Sequence, residues 1–312
     1  MLLISAIMPV FNAAPFLEQA LGSVLKQTFS DFEFIIVNDG STDGSEEIIR
    51  AFASQDHRIK YLKMENHGPA RAMNVAMETA SGRYFVRVDA DDFACPERFQ
   101  RQFDVMENAK VDIVGCQVEP FGQVSPPFWF PESEESIRRE LLFRCPILGA
   151  TMMVRTAALK GRYYNESALF DDYEFLAYHV PHTRAVNLHE NLVKYRIHDS
   201  QSSKVKKERN SDERRKYGFR YFCTMYPASS IEEFLPIDRV ASHLPMKTLA
   251  DLERAGVWLS LFSQSDDSML RKVMGKRWRR TCTLSKELVP QTKLIFPKYG
   301  KLIDPDDLEN EI

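Results

Sequence analysis

Short apolar runs alternate with amphipathic stretches along the first third of the chain. Leu2 to Met8 reads as a buried strand, and Pro15 fits the first turn of a helix whose apolar face is Leu17, Leu21, Val24 and Leu25. Phe34-Ile35-Ile36-Val37 is a continuous apolar strand, the pattern expected when both faces of a sheet are covered. A third strand is expected at Ile59–Lys63, a helix from Pro69 to Ala80 stopped by Ser81-Gly82, and a fourth strand at Tyr84–Val88. Pro96 then opens a helix with Phe99, Phe103 and Met106 inward, followed by a fifth strand at Val111–Val118. This repetition predicts an α/β fold with a mostly parallel, Rossmann-like sheet flanked by helices and joined by right-handed crossovers. Polar loops follow Val10, Val37 and Val88, and the strand C-terminal ends of such sheets are where ligands bind.

The second half is less regular. Pro120 to Pro131 reads as a loop, Glu132 to Arg144 as an amphipathic helix and Ala150 to Val154 as a buried strand. Phe170-Asp171-Asp172-Tyr173-Glu174-Phe175 is expected to open a helix, and Val186–Ile197 to form one or two strands. Beyond Ser203 the chain turns highly charged, and Leu249, Leu252, Leu259 and Phe262 then fall at helical spacing. We therefore expect one α/β domain over residues 1–203 and a helical C-terminal extension over residues 204–312.

A net charge of −3 gives no global pull toward nucleic acid or an anionic surface. The cysteines are scattered, odd in number and without a Cys-x-x-Cys pair, which argues against a disulfide framework or zinc knuckle and for reduced thiols in a cytoplasmic protein. The apolar start from Met1 to Val10 lacks a basic leader and reads as a buried first strand. No apolar run approaches the ~20 residues that span a bilayer.

The densest chemistry is Asp89-Ala90-Asp91-Asp92, where an apolar strand runs into three carboxylates. Carboxylates this close repel one another unless a cation or a donor-rich ligand sits among them. Oxygen ligands of this type suit Mg²⁺ or Mn²⁺, which suit diphosphates; an acidic turn capping the next helix is the other reading. Asp39 stands at a strand end beside Gly40, where backbone can approach a ligand; it could also simply stabilise a tight turn. Asp43 suits a helix cap.

Taken in order, these stretches resemble one family. Pro9-Val10-Phe11-Asn12, Val37-Asn38-Asp39-Gly40-Ser41-Thr42-Asp43-Gly44-Ser45, Gly68-Pro69-Ala70-Arg71-Ala72-Met73-Asn74, Ser81-Gly82-Arg83-Tyr84 and Asp89-Ala90-Asp91-Asp92 are similar to family 2 glycosyltransferases of the GT-A fold. Asp171-Asp172-Tyr173-Glu174 resembles the acidic catalytic pair, and Tyr195-Arg196-Ile197-His198 with Ser200 and Ser202 resembles the Tyr-Arg-x-His stretch. The likeness covers roughly residues 1–203. It implies transfer of a sugar from a nucleotide-sugar donor, UDP-linked by preference, to a hydroxyl acceptor by metal-dependent single displacement with inversion. Asp91 would bind Mn²⁺ or Mg²⁺, with His198 on the metal or the diphosphate. Asp89 would take the ribose hydroxyls, with a contact to the metal as an alternative, and Asp92 would either join the metal or support the next helix. Asp39 would accept the imide N–H of uracil; Pro9 and Phe11 would pack beside the base, with Val10 presenting backbone groups to it, and Arg71 would reach a phosphate or the base. Asp172 would be the general base, and Arg196 structural. The acidic pair is Asp-Asp where Glu-Asp is commoner in the family, and Leu176 and Tyr178 replace its following Trp and Arg, departures that bear on acceptor contacts.

Basic clusters at Lys204–Lys207, Arg214–Lys216 and Arg271–Arg280 read as a solvated helix face or as peripheral docking on anionic lipid, the latter suiting a glycan or lipid-linked acceptor in bacterial surface-glycan synthesis. A nucleotidyltransferase would want a Gly-rich phosphate loop near the first strand, which Pro9 to Pro15 lacks. A degenerate nucleotide-sugar-binding scaffold remains the non-enzymatic rival, against which Asp39, Asp89, Asp91 and Asp172 argue.

Overall fold

The computed structural model describes residues 2–123, 128–169, 171–199, 201, 207–263 and 267–288. Phe170, Ser200, Ser202 and Lys204-Val205-Lys206 of the motifs above lie outside these. By Cα proximity the chain divides into two compact units, Met1–Glu132 with Ile147–Asn210, and Ser133–Pro146 with Ser211–Ile312.

The first unit is built on one eight-stranded sheet. Its elements in chain order are β1 (Ile4–Val10), α1 (Ala14–Leu25), β2 (Phe32–Asp39), α2 (Ser45–Ala53), β3 (Ile59–Met64), α3 (Pro69–Thr79), β4 (Tyr84–Arg87), β5 (Phe93–Ala94), α4 (Arg98–Asn108), β6 (Ile113–Gly122), β7 (Met153–Arg155), α6 (Asp171–His179) and β8 (Ala185–Ile197); α5 (Glu134–Glu140) falls in the other unit. The strand order is β3-β2-β1-β4-β7-β6-β8-β5. β1 pairs in parallel with both β2 and β4, and β2 with β3, so the three polar loops open on one edge. β7 runs antiparallel between β4 and β6, and β8 runs parallel to β6 and antiparallel to β5.

The first half therefore follows the predicted α/β order, and the second half departs from it in detail. The apolar run at Ala150–Val154 is a 3-10 turn, Gly149–Thr151, followed by the three-residue β7. The fifth strand runs on to Gly122, into the segment read as loop, because β8 offers it a partner along that whole length. β8 is one strand of 13 residues, with register shifts where it passes Cys116–Val118 of β6.

β1 and β2 are almost entirely buried, which explains why their sequences carry no polar alternation. Two carboxylates are buried in β2, Glu33 near its start and Asp39 at its end. Glu33 of β2 accepts hydrogen bonds from Ser5 Oγ of β1 (2.6 Å) and from Ser81 N and Oγ (2.7 and 2.8 Å), and pairs with Lys60 of β3. Burial alone would raise this carboxyl; Lys60, Ser5 and Ser81 outweigh it and hold the pKa at about 2.

The second unit comprises α5, α7 (Lys207–Met225), α8 (Ile231–Ala241), α9 (Leu249–Ser263) and α10 (Ser268–Leu284) among its described residues. Its core joins Phe222 to Phe234 and Trp258, at ring-centroid distances of 5.5 and 5.2 Å. α5 is fastened by ion pairs and hydrogen bonds: fully buried Glu140 faces Arg277 at 2.6 Å, Ser136 Oγ donates to Asp267 at 2.6 Å, and Tyr221 Oη donates to the Arg138 carbonyl at 2.8 Å. Several residues of the basic clusters are thus turned inward. Arg277 is paired with Glu140, buried Arg214 with Asp238, and Trp278 is buried; Arg215 also reaches Asp238 but stays exposed. No described helix is long and apolar enough to cross a membrane.

Replacing Glu33 by Gln should destabilise the first unit by about 1–3 kcal/mol at neutral pH. Because the folded pKa lies below the unfolded one, the wild-type advantage is present above the unfolded value of 4.5 and is lost as pH falls toward about 2. Urea unfolding of both proteins from pH 7 to pH 2.5, roughly the range this linkage spans, measures it; equal midpoints at pH 7 would contradict the assignment.

Candidate active site

The loops after β1 and β2 are knitted together before any ligand is considered. Asn12, in the left-handed region at φ 50°, donates its N–H to Ser41 Oγ (3.1 Å) and accepts from the Thr42 N–H (2.8 Å). Ala13 N donates to Ser45 Oγ and Ala14 N to Asp43 Oδ2, each at 3.0 Å, while Asp43 Oδ1 accepts from Ser45 N. The Ser-Thr-Asp-Gly-Ser run thus satisfies N–H groups left open at the starts of both α1 and α2. Asp43 sits just ahead of the α2 cap position, held by Gly44, and serves two helices rather than one. The knitting leaves Pro9 half-buried, Val10 buried and Phe11 52% exposed at the strand end.

Asp39, at the end of β2, is 2% exposed and accepts from the His67 and Gly68 N–H groups at 2.8 and 2.9 Å, just ahead of α3. The turn-stabilising reading of Asp39 is thus realised in this structure. Gly40 has φ 72°, and a Cβ there would stand 2.8 Å from Asn66 N, so the space beside it belongs to this same loop. On α3, Arg71 faces Glu166 at 3.0 Å, and Asn74 is buried against the segment at Tyr164, exchanging Nδ2 to the Tyr164 carbonyl and Oδ1 to its N–H.

Asp89, Asp91 and Asp92 leave β4 and bring their carboxylate oxygens within 4.8 Å of one another. Burial, with the neighbouring Asp91, pushes Asp89 upward against the pull of Arg87. Asp92 rises well above the carboxylate range, through burial and then repulsion from Asp91 and Asp89. Such crowding favours a cation among them. The three are not equivalent. Asp92 is buried, and its Oδ1 accepts the Arg196 N–H at 2.9 Å, tying the loop to β8. Arg196 Nε donates to the Asp91 carbonyl at 2.8 Å, and its guanidinium lies over Phe16 and Phe121. His198 puts Nε2 2.9 Å from Asp91 Oδ2 and packs on Phe16 at 4.7 Å.

The second acidic group is joined to the first by a residue that the sequence reading passed over. Arg87, the last residue of β4, places Nε 3.1 Å from Asp89 Oδ1 and Nη1 2.9 Å from Asp171 Oδ2 and 3.4 Å from Asp172 Oδ1. Its one signal in the sequence was a charge inside an otherwise apolar strand. Asp172 Oδ2 accepts the Gly149 N–H at 3.2 Å. A Cβ on Gly149 would lie 2.6 Å from that oxygen and 3.0 Å from the Arg87 Cζ, so any other residue there would displace the Asp172 carboxylate. Burial, and after it the charge of Asp171, lifts Asp172 to about 7, whereas Arg87 holds Asp171 below its ordinary value despite burial.

The fold thus gathers Asp89, Asp91, Asp92 and His198 into one group and Asp171 and Asp172 into another, with Arg87 shared between Asp89 and the pair. Pro9 to Phe11 and Asp39 stand at the ends of adjacent strands of the same edge. Arg71 is directed instead at Glu166.

With this geometry the comparisons are informative. The family model for glycosyl transferase family 2 matches residues 5–167, just over half of the 312-residue chain. The chain belongs to that family. The uncharacterized glycosyltransferase EpsJ of Bacillus subtilis (strain 168) is 42% identical over 114 residues, 36% of this chain and 33% of EpsJ, so the chain spans about a third of that relative's length. A crystal structure of S. aureus TarS 1-349 in complex with UDP-GlcNAc superposes with a TM-score of 0.63 at 18% identity, covering 94% of this chain and 92% of that one. The mannosyltransferase PcManGT from Pyrobaculum calidifontis, in complex with GDP-Man and Mn²⁺, gives 0.57 at 17% identity, covering 99% and 88%. At such identities these two establish the shared GT-A fold.

Gly149→Ala should cost about 1–3 kcal/mol, the scale of overpacking a tight site. In an Asp172→Ala background the penalty should shrink, because the oxygen that the methyl group meets is gone. A double-mutant cycle by denaturant unfolding measures the coupling; strict additivity would sink this account of Gly149.

Proposed function

We propose that the chain transfers a glycosyl group from a nucleotide sugar, UDP-linked by preference, to a hydroxyl acceptor by metal-dependent single displacement with inversion. The observation that carries this reading is the pairing of two acidic groups on one sheet edge: crowded carboxylates at Asp89–Asp92, and beside them a carboxylate, Asp172, lifted to about 7.

In this reading Asp91, with His198 against its carboxylate, holds Mn²⁺ or Mg²⁺, and Asp89 takes the ribose hydroxyls. A divalent ion there would offset the charge gathering on the leaving diphosphate. Asp92 supports the loop through Arg196 and stays off the ligand. Phe11 offers an exposed ring beside the base, with Pro9 and Val10 behind it. Asp39 keeps lone pairs beyond the two its turn uses, since a carboxylate has about four acceptor sites, and one of these reads the uracil N–H. Arg71 reaches a phosphate only by leaving Glu166. Asp172 takes the proton of the attacking hydroxyl; a base is most effective when its pKa lies near the working pH. With one base and no nucleophile assigned, the anomeric carbon inverts.

We take the acceptor to be a glycan or a lipid-linked saccharide of surface-glycan assembly on the cytoplasmic side, on the strength of the family resemblance. Any contact with an anionic bilayer would fall to the exposed Arg271, Lys272, Lys276 and Arg280 of α10, since Arg277 is turned inward.

Calorimetric titration with UDP, GDP, CDP and dTDP, with and without Mn²⁺, on wild type and Asp91→Ala tests the donor site. We expect one nucleotide to bind tightly, UDP first, and only with both metal and Asp91. Asp172→Asn should keep that affinity and lower donor turnover by about 10²–10⁴-fold, the usual worth of a positioned base. Wild-type turnover should rise with pH through about 7, as Asp172 loses its proton. Nucleotide binding with no turnover in any acceptor mixture would make the protein a binding scaffold.

A further inference from the structure

We infer that Arg87 is a positioning residue for the base, holding the Asp172 carboxylate in place while tying it to the donor-side carboxylate Asp89. This rests on the transferase reading above.

The Asp172 carboxylate belongs to α6, but two of the groups that orient it come from elsewhere: Arg87 Nη1, at the end of β4, on Oδ1 at 3.4 Å, and the N–H of Gly149, in the turn before β7, on Oδ2 at 3.2 Å. A side chain in the first turn of a helix has rotamer freedom, and two donors from outside that helix restrict it. β4 and the turn before β7 are themselves locked together, since Arg87 N donates to the Met152 carbonyl at 3.0 Å. From the other side, buried Arg98 donates to the Arg87 carbonyl at 2.9 Å.

The guanidinium is used as a fork. Nε addresses Asp89 while Nη1 addresses Asp171 and, at longer range, Asp172. A plain structural ion pair would need one carboxylate; here one buried cation faces three, from the loop after β4 and from α6. The contacts are unequal in a useful sense. The shorter bond goes to Asp171, which stays ionised, and the longer to Asp172, which is left with the higher proton affinity of the two. The charged and titratable groups facing Asp172 are Asp171 on its own helix, Arg87 on β4, Asp89 in the loop that follows and the Tyr164 ring, over which the guanidinium sits at 5.8 Å. Arg87 is the one cation in that set. Removing it must raise Asp172 further and free its rotamer, whereas the contact between His198 and the Asp91 carboxylate does not pass through it.

The test compares wild type, Arg87→Met and Arg87→Lys for UDP affinity with Mn²⁺, for kcat and KM of donor turnover, and for the pH at which kcat rises. Arg87→Met should lose about 10²-fold in kcat and move the acidic limb to higher pH, as loss of positioning and of a nearby positive charge requires, with UDP–Mn²⁺ affinity falling only as far as the freed Asp89 carboxylate weakens its hold on the ribose. Arg87→Lys restores the charge without the fork, so the limb should return toward its wild-type position while about a 10-fold loss in kcat persists. Wild-type kcat with an unmoved limb in Arg87→Met would overturn the inference. So would a loss of UDP affinity at unchanged saturating kcat, which would make Arg87 a support of the donor site alone. If Arg87→Met does not fold, Arg87→Lys decides by the same readouts. If wild type binds no nucleotide, it is the transferase reading that has failed, a result distinct from any Arg87 phenotype.

Discussion

A guanidinium at the end of a buried strand is the constraint around which this site is built. A buried cation is tolerated only when it is paired and hydrogen-bonded. Arg87 meets that requirement with carboxylates from two directions, the loop after its own strand and the first turn of α6 more than eighty residues later. Satisfying one charge therefore brings the two acidic groups together. It also demands space, and Gly149 supplies it, since a single methyl group there would press on both the Asp172 carboxylate and the guanidinium. Charge pairing and close packing are here one requirement.

The remaining loops are held by polar contacts between segments that are distant in sequence. The Asn-Asp-Gly-Ser-Thr-Asp stretch, whose acidic residues invite a reading as ligand contacts, spends much of its hydrogen-bonding capacity on the starts of α1 and α2. Asp39 does the same for the loop ahead of α3. The acidic loop after β4 is clamped by β8: Arg196 bonds to Asp92 and to the Asp91 backbone, and His198 meets the Asp91 carboxylate. Loops fixed in this way are pre-organised, so less ordering entropy is lost when a ligand arrives. The second unit is fastened by ion pairs between helices, in which the largely buried Arg214 and Arg277 face Asp238 and Glu140.

What was legible in the sequence was what local pattern controls. Period and apolar runs gave the order of the longer strands and helices through β6, but not the two-residue β5, which exists because β8 pairs with it. The resemblance carried by the spaced motifs gave the GT-A fold and the family. The second half was harder for a physical reason. β7 is three residues long and exists because β4 and β6 leave it a slot, and the end of β6 is strand because β8 pairs with it; neither partner can be seen from the local sequence. Arg87 was visible as an oddity in an apolar strand but had no partner that spacing could name.

The sequence by itself determined the α/β order, the three polar loops at strand ends and the residue types available to bind a cation and accept a proton. Only the tertiary structure decided which of them meet. Asp171 and Asp172 became neighbours of Asp89 through Arg87, Arg71 was directed to Glu166, and Asp92 was turned from the loop's open side toward β8. The reason is that a carboxylate's behaviour depends on burial and on charges within a few ångströms, and those distances are fixed by contacts between residues far apart along the chain.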